Sequence, residues 1–280
     1  MAVWRLSEGL DLSFPPSLAA GVVNVTADSF YGGARSVTPE QAIEDGLRLV
    51  EDGFDLLDVG AVAARSGPPV DAGVELEMLA PAVAGLAERS GVPVMADTFQ
   101  PEVARAALDA GAVAVNDISG GSDEMFELVA ERGCGYVLMH IGGPPRVDRT
   151  PPVYEDVVAQ LTEWFAQRIE RAGELGVVAE QIAIDPGPDF DKSAGDSIEL
   201  VGRIGELRVL ERPVMAAISR KDFLGAILAG SWEERVGPGE RGAATLAATA
   251  VAAAQGAEIL RLHDREALDA MRVAEAIVRG

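Results

Sequence analysis

The sequence predicts an α/β fold in which eight parallel strands alternate with helices and close into a (β/α)8 TIM barrel. Two observations carry this prediction: eight short apolar runs each end in a polar residue, and a stretch with helical spacing follows each run. The runs are almost continuously apolar, which is typical of parallel strands covered on both faces. The length of 280 residues is usual for one such barrel, so residues 1–280 are expected to form a single domain.

The first two strands are predicted at 18–25 and 54–60, where LAAGVVNV and FDLLDVG are apolar runs. A helix is predicted from Pro39 to about Asp52, because proline is favourable in the first turn of a helix. Another helix is predicted near 74–90, after a loop rich in glycine and proline. These segments form the first two strand–helix units.

The next units repeat the order of a strand followed by a helix. Strands are predicted at 92–97, 112–117 and 135–140, each of which is a short apolar run. Between them, 101–111 and 125–133 have helical spacing and end in glycine, a frequent helix stop. The middle of the chain therefore continues the barrel pattern.

The last units complete the eight strands. The amphipathic stretch 154–175 predicts a long helix, and 182–187, 213–219 and 258–264 are the remaining apolar runs. The Ala-rich segment 243–255 predicts a buried helix packed on the barrel. A final helix is expected to run to the C-terminus.

Composition excludes several classes of function. Acidic residues outnumber basic ones by 45 to 23, for a formal charge of −22, so no nucleic-acid partner is expected. No apolar stretch reaches the roughly 18 residues of a membrane span, and the start MAVWRLSEGL gives no expectation of a secretory leader. The single cysteine, Cys134, forms no intrachain disulfide, which is typical of the cytoplasm.

Polar residues stand at the carboxyl ends of the predicted strands. They are Asn24, Asp58, Asp97, Asn116, His140, Asp185, Ser219 and Arg261. All strands of a parallel barrel end at one face, so these residues are expected to converge on one pocket that suits a small charged substrate. The alternatives are structural: Asp97 and Asp185 would cap helices, Ser219 would be an N-cap, and His140 would pack in the core.

Eight segments, in order, resemble the dihydropteroate synthase family over nearly the whole chain. They are GVVNVTADSF (21–30), DLLDVG (55–60), ADTFQPEVARAALDAGA (96–112), VNDISGG (115–121), LMH (138–140), DPGPDFDK (185–192), SRKDFLG (219–225) and RLHD (261–264). Each segment alone is weakly specific, whereas eight in the family's order are strongly specific. The resemblance implies a transferase of folate biosynthesis. It would join 6-hydroxymethyl-7,8-dihydropterin pyrophosphate to p-aminobenzoate, releasing pyrophosphate and 7,8-dihydropteroate.

The resemblance also implies which residues hold the pterin. Asp97, Asn116 and Asp185 would bind the ring, Lys221 would lie beside them, and Met139 would supply an apolar wall. A pterin edge both donates and accepts hydrogen bonds, which carboxylates and amides match.

The pyrophosphate and its metal are assigned by the same resemblance. Arg261 and His263 would hold pyrophosphate, since arginine grips phosphate oxygens bidentately. Asn24 would be the protein ligand of Mg²⁺, an ion that usually takes few protein ligands. The residues expected to act in catalysis are Asn24, Arg65, Lys221, Arg261 and His263.

The second substrate is expected near the later loops. The Ser219 hydroxyl and the N-terminus of the following helix would receive the carboxylate of p-aminobenzoate, and Phe190 and Lys192 would lie near the substrates. No Ser–His or Cys–His arrangement is evident in the sequence, which agrees with a family mechanism that requires no protein nucleophile. A homodimer through the Ala-rich segment and residues 264–279 is also implied.

Loops one and two depart from the family pattern. Loop one usually reads NVTPDSFSDGG and here reads NVTADSFYGGA, and loop two usually reads GGESTRPG and here reads GAVAARSG. Arg65 is kept, while the changed positions are Ala27, Tyr31, Gly32, Val62, Ala63 and Ala64. Besides a synthase, the sequence therefore leaves open a pterin-binding paralogue without normal synthase activity. It also leaves open a different pterin-dependent transferase, or an unrelated phosphate-binding barrel.

Overall fold

The computed structural model describes residues 3–25, 36–62, 70–147 and 149–280. Its strands are β1 (Val3–Ser7), β2 (Leu10–Ser13), β3 (Leu18–Asn24), β4 (Leu56–Gly60), β5 (Val94–Asp97), β6 (Ala114–Asp117), β7 (Gly135–Met139), β8 (Ile182–Asp185), β9 (Met215–Ala216) and β10 (Ile259–Leu262). Strands β3 to β10 form a parallel sheet in the order β8-β7-β6-β5-β4-β3-β10-β9. A parallel bridge between Ile184 and Val214 joins the two edges. The predicted eight-stranded barrel is confirmed.

Helices follow the barrel strands as the sequence pattern predicts. Those described are α1 (Pro39–Asp52), α2 (Ala72–Arg89), α3 (Pro101–Asp109), α4 (Asp123–Arg132), α5 (Val157–Glu174), α6 (Ala194–Gly202), α7 (Asp222–Ala229), α8 (Gly242–Ala254) and α9 (Arg265–Arg279). Local sequence explains their ends. Thr38 caps α1 by accepting from the Gln41 N–H at 3.3 Å, and Gly53 ends α1 with a φ of 100°.

The hairpin of β1 and β2 covers the amino end of the barrel, and the sequence pattern did not predict it. Trp4 and Phe14 are buried against residues near the starts of the barrel strands, including Ala114 and Ile259. The indole Nε1 of Trp4 donates to the carbonyl of Gln181 at 2.8 Å. Because the hairpin fills the amino end, the polar strand ends at the opposite face are the accessible mouth of the barrel.

Two further stretches differ from the sequence-based assignment. The run 213–219 is predicted as a strand, but β9 pairs only through Met215 and Ala216, because the chain then leaves the sheet toward a turn at Arg220. Helix α6 has no counterpart in the prediction, although Ser193 and Asp196 cap it reciprocally. Its capping signal follows directly on a loop rich in proline and aspartate.

The Ala-rich segment forms a helix as predicted, but the helix is not buried along its length, because only Thr245, Thr249, Ala252 and Ala253 are buried. It forms α8, which packs against α9. In the described part of the chain, no helix combines the length and the apolar character needed to span a membrane.

Candidate active site

A network of charged side chains joins several strand ends at the mouth of the barrel. Arg261, on β10, donates from Nε to Asp58 Oδ2 and from its terminal Nη2 to Asp97 Oδ2, the latter at 2.6 Å. Asn116, on β6, donates from Nδ2 to the same oxygen of Asp58 at 3.1 Å. Because β3 separates β10 from β4 in the sheet, the arginine reaches across the mouth. The sequence-predicted residues Asp97, Asn116 and Arg261 are thus brought together.

Asp58 is the central acceptor of this network, and sequence reasoning gave it no role beyond its position at a strand end. Its side chain is 0% exposed and accepts from both Arg261 and Asn116. Among the described residues its other oxygen, Oδ1, has no hydrogen-bond partner. Asp58 therefore fixes the directions of the guanidinium and the amide.

Asp97 has an unusual electrostatic environment for an aspartate. Burial raises the pKa of Asp97 to about 7, and the nearby charge of Asp58 adds to the rise that the Arg261 cation opposes. Gly60, on the neighbouring strand, leaves room for this side chain, since a Cβ there would lie 3.2 Å from the Asp97 Cβ. The carboxyl can therefore exchange a proton near neutral pH.

Asp185 and Lys221 form the opposite side of the mouth. Asp185 Oδ1 accepts from the Gly187 N–H at 2.8 Å; burial raises the pKa of Asp185, while the Lys221 cation opposes the rise. Lys221 Nζ donates to the Pro188 carbonyl at 3.1 Å and lies 4.2 Å from the centroid of the Phe190 ring. The loop after β8 and the turn after β9 therefore meet at Lys221.

An apolar wall lies next to these charged groups. Met139 is buried with Ile118, Ile141 and Phe190 in one cluster. This agrees with the expected apolar wall of a ring-binding pocket. Gly187 permits the close approach of two loops: its φ is 61°, and a Cβ there would lie 2.4 Å from the His140 carbonyl oxygen.

His263 and Ser219 form a hydrogen-bonded pair, with 2.8 Å between Nδ1 and Oγ. The expectation that no Ser–His arrangement exists is wrong, because the partners are distant in sequence and meet only at the barrel mouth. Burial lowers the pKa of His263 to about 3, and the cations Arg261, Arg220 and Lys221 contribute. The imidazole is therefore neutral near pH 7 and offers hydrogen bonds instead of a charge.

The helix N-terminus expected to receive a substrate carboxylate is already occupied. Asp189 accepts from the N–H groups of Asp222 at 2.5 Å and Phe223 at 3.1 Å, at the start of α7. These are the unpaired donors that a bound anion would need. An internal carboxylate therefore takes the place that was expected for the substrate at the start of α7, while the role of the Ser219 hydroxyl stays a prediction.

His140 packs inside the protein, which was one of its two alternative roles. Its ring contacts Trp164 edge to face with 4.7 Å between centroids, and its Nδ1 lies 2.8 Å from Lys192 Nζ. Lys192 also donates to the Phe190 carbonyl at 2.8 Å. Burial lowers the pKa of Lys192 to about 7 and that of His140 to about 2. The pair links the loops after β7 and β8.

A cavity of about 410 Å³ opens beside Phe190, between the loops after β7 and β8. Its wall includes the aromatic ring of Trp232 and the cations Arg146, Arg149 and Lys192. Arg149 pairs with Asp191 at 2.5 Å. The cavity therefore combines apolar and charged surface next to the barrel mouth.

Asn24 ends β3, and its backbone carbonyl accepts from the Ser36 N–H at 2.8 Å. Arg65 lies outside the described residues, as do the changed loop positions Ala27, Tyr31, Gly32, Ala63 and Ala64. The changed position Val62 is described and is half-buried.

As the pH falls, the two histidines are expected to destabilise the protein, whereas Asp97, whose pKa is raised, contributes in the opposite direction. Burial lowers the pKa of both histidines below the ordinary value of 6.5, so below that pH the unfolded chain binds protons that the folded chain does not. Each histidine should reduce the free energy of unfolding by up to about 1.4 kcal/mol per pH unit as the pH falls. Urea unfolding between about pH 7 and 5.5 measures this slope. His263→Asn should flatten it, and an unchanged slope would contradict the assignment.

Known proteins that are similar to this chain in sequence belong to one family. The family model described as pterin binding enzyme matches residues 20–263. The chain is 35% identical over 279 residues to the dihydropteroate synthase of Escherichia coli strain K12, covering 99% of this chain and 96% of that protein. It is 38% identical over 271 residues to the dihydropteroate synthase of Mycobacterium leprae, covering 95% of each.

A solved structure gives the same relationship in three dimensions. The dihydropteroate synthase of Xanthomonas albilineans in complex with 7,8-dihydropteroate is similar with a TM-score of 0.83 at 34% identity, covering 99% of this chain and 98% of that one. Sequence and fold therefore agree along nearly the whole chain, and the barrel described above belongs to the dihydropteroate synthase family of pterin binding enzymes.

Proposed function

We propose that this protein is a dihydropteroate synthase, a transferase that condenses 6-hydroxymethyl-7,8-dihydropterin pyrophosphate with p-aminobenzoate. The observation that carries the proposal is the network at the mouth of the barrel, in which Asn116 and Arg261 donate to Asp58 and Arg261 also donates to Asp97. Family relatives that bear this name cover nearly the whole chain. The reaction releases pyrophosphate and 7,8-dihydropteroate.

The pterin ring would lie between the Asp97 and Asp185 sides of the mouth. Its amino-pyrimidine edge needs both donors and acceptors, and Asn116 can supply both. The Asp97 carboxyl can also do so, because burial raises its pKa to about 7. Met139 would cover a face of the ring. Such a site would reject rings that lack the matching groups, since its own polar groups would remain unpaired.

Pyrophosphate would be held by Arg261 and by the His263–Ser219 pair. Bond cleavage between the pterin methylene carbon and its oxygen would send the electron pair to pyrophosphate and leave a cationic methylene. The amine nitrogen of p-aminobenzoate would then attack this carbon and lose a proton. The Ser219 hydroxyl is not proposed as a nucleophile, because His263, with a pKa of about 3, is a poor general base.

Mg²⁺ is proposed to bind at Asn24 together with pyrophosphate. The amide oxygen of Asn24 is a hard, neutral donor, and magnesium completes its shell with phosphate oxygens and water. Within the described ranges no group of three His, Cys, Asp or Glu side chains is arranged to hold a metal. When bound, the ion would neutralise charge on the leaving group.

The acceptor would approach from the cavity beside Phe190. An aromatic amine fits the ring surface of Phe190 and Trp232, and Arg146 supplies positive charge for a carboxylate. This replaces the start of α7 as the candidate carboxylate site. Arg65 stays a predicted catalytic residue on loop two.

We also propose a homodimer through α8 and α9, in the cytoplasm. Large apolar side chains are exposed on these helices, including Val251, Val273 and Ile277, the last at 75%. The free thiol of Cys134 is buried and agrees with a reducing compartment.

The proposed function is tested by pyrophosphate release from purified protein. The mixture contains Mg²⁺, dihydropterin pyrophosphate and p-aminobenzoate, and Asp97→Ala is the control. We expect release that depends on p-aminobenzoate and disappears in the control. Pterin binding by a folded protein that shows no turnover would instead favour a paralogue with another acceptor, whereas absence of pterin binding would reject the pterin site itself.

A further inference from the structure

The turn at residues 219–222 brings two active-site side chains into the mouth of the barrel. Ser219 contacts His263, and Lys221 lies over Phe190. Between them, Arg220 has a φ of 58°, in the left-handed region that non-glycine residues rarely adopt. Such a conformation persists only where the surroundings hold it. The directions of Ser219 and Lys221 therefore depend on what holds Arg220.

Both peptide groups at Arg220 are held by side chains near the start of α8, outside the barrel. The Arg220 N–H donates to Thr245 Oγ1 at 3.0 Å, and the Arg220 carbonyl accepts from the Arg241 guanidinium at 2.8 Å. Thr245 is 1% exposed and Arg241 is 2% exposed. These buried bonds fix the left-handed turn from its two sides.

Arg241 is itself fixed in one position. Its guanidinium donates to Asp222 Oδ1 at 2.6 Å and to the Val236 carbonyl at 2.8 Å. Gly225 makes room for it, because a Cβ at Gly225 would lie 2.6 Å from the Arg241 Nε. Arg241 can therefore hold the turn without rearranging.

We propose that Thr245 and Arg241 are positioning residues for Lys221 and Ser219. They act through the backbone of Arg220, which they lock in the left-handed conformation. Their effect on turnover rests on the proposed function, whereas their effect on the turn does not. Part of the active-site geometry is therefore set by α8, the helix that follows this turn and α7 in the chain.

Helix α8 offers a matched pair of substitutions. Thr245 and Thr249 are both buried, but the Thr249 hydroxyl has no hydrogen-bond partner in the described part of the chain. Thr245→Val removes the bond to Arg220, whereas Thr249→Val removes a hydroxyl that holds nothing. Thr245→Ser keeps the hydroxyl and serves as the rescue variant.

The first measurement is hydrogen exchange of the Arg220 amide in the full protein without ligand. We expect at least about tenfold faster exchange in Thr245→Val than in the other two variants, because the amide loses its buried acceptor. Equal exchange in all three would overturn the proposal whatever the enzyme's activity.

The second measurement is equilibrium binding of inorganic pyrophosphate and of 6-hydroxymethylpterin, together with steady-state kinetics. Thr245→Val should weaken both ligands and raise the KM for pterin pyrophosphate by about tenfold, at temperatures where all variants are folded. Thr245→Ser should restore these values. Faster exchange of the Arg220 amide with wild-type binding would show that the turn is held for stability alone and would overturn the positioning role. Inactive wild-type protein would reject the proposed synthase while leaving the exchange result valid.

Discussion

Arg261→Met is expected to abolish turnover and to lower the free energy of unfolding by roughly 3–5 kcal/mol, the cost of leaving a buried charge unpaired. The arginine bridges Asp58 and Asp97, and Asp58 is fully buried. Removing the cation leaves both carboxylates without their counter-charge. Urea unfolding and pyrophosphate release measure the two effects on the same protein.

Arg261→Lys tests the positive charge at this position separately from the planar shape of the guanidinium. Lysine keeps the positive charge but lacks the planar fork that contacts two carboxylates, so stability should recover more than activity. The double variant Arg261→Met with Asp58→Asn removes the arginine together with a charge that it balances, and it should regain stability while remaining inactive. If Arg261→Met alone were as stable as wild type, the guanidinium would not be the counter-charge inferred here.

Asp185→Asn is expected to reduce kcat/KM for the pterin substrate by about a hundredfold or more, the effect of losing a charged acceptor in a desolvated site. Its stability should be equal to or higher than that of wild type. The reason is that burial raises the pKa of Asp185, so the folded protein carries this charge at a cost. Loss of activity with a gain in stability is the signature of a group kept for its function. Steady-state kinetics and urea unfolding together provide the check.

Asp117→Asn is the matched control for this prediction. Asp117 is also a buried aspartate at a strand end, but it accepts from the Tyr136 hydroxyl and the Ser119 N–H, each at 2.7 Å. Burial raises the pKa of Asp117 as well, but an asparagine has one acceptor oxygen for these two donors and would leave one of them unpaired, so we expect Asp117→Asn to lose stability and to keep a wild-type KM. A rise in KM equal to that of Asp185→Asn would mean that any buried strand-end aspartate has this effect, and Asp185 would lose its special role.

The sequence predicts the repeating part of this fold well, and it misses pieces whose pattern is too short. Continuous apolar runs are diagnostic because both faces of a barrel strand are buried. The β1–β2 hairpin has short strands with mixed polarity, so its burial becomes apparent only when Trp4 packs under the barrel. The two-residue β9 likewise depends on how the chain turns at Arg220.

The apolar runs of the sequence predict the eight strands, and the order of its segments identifies the family and the residues at the strand ends. The partners of these residues follow from the closed barrel. It made Asp58 the shared acceptor of Arg261 and Asn116, paired Ser219 with His263, and gave the start of α7 to Asp189. The physical reason is that strand order and register set which side chains meet across the barrel mouth. A local sequence pattern shows which residue types stand at the strand ends. Residues 58 and 261, however, come into contact only when the sheet closes into a barrel.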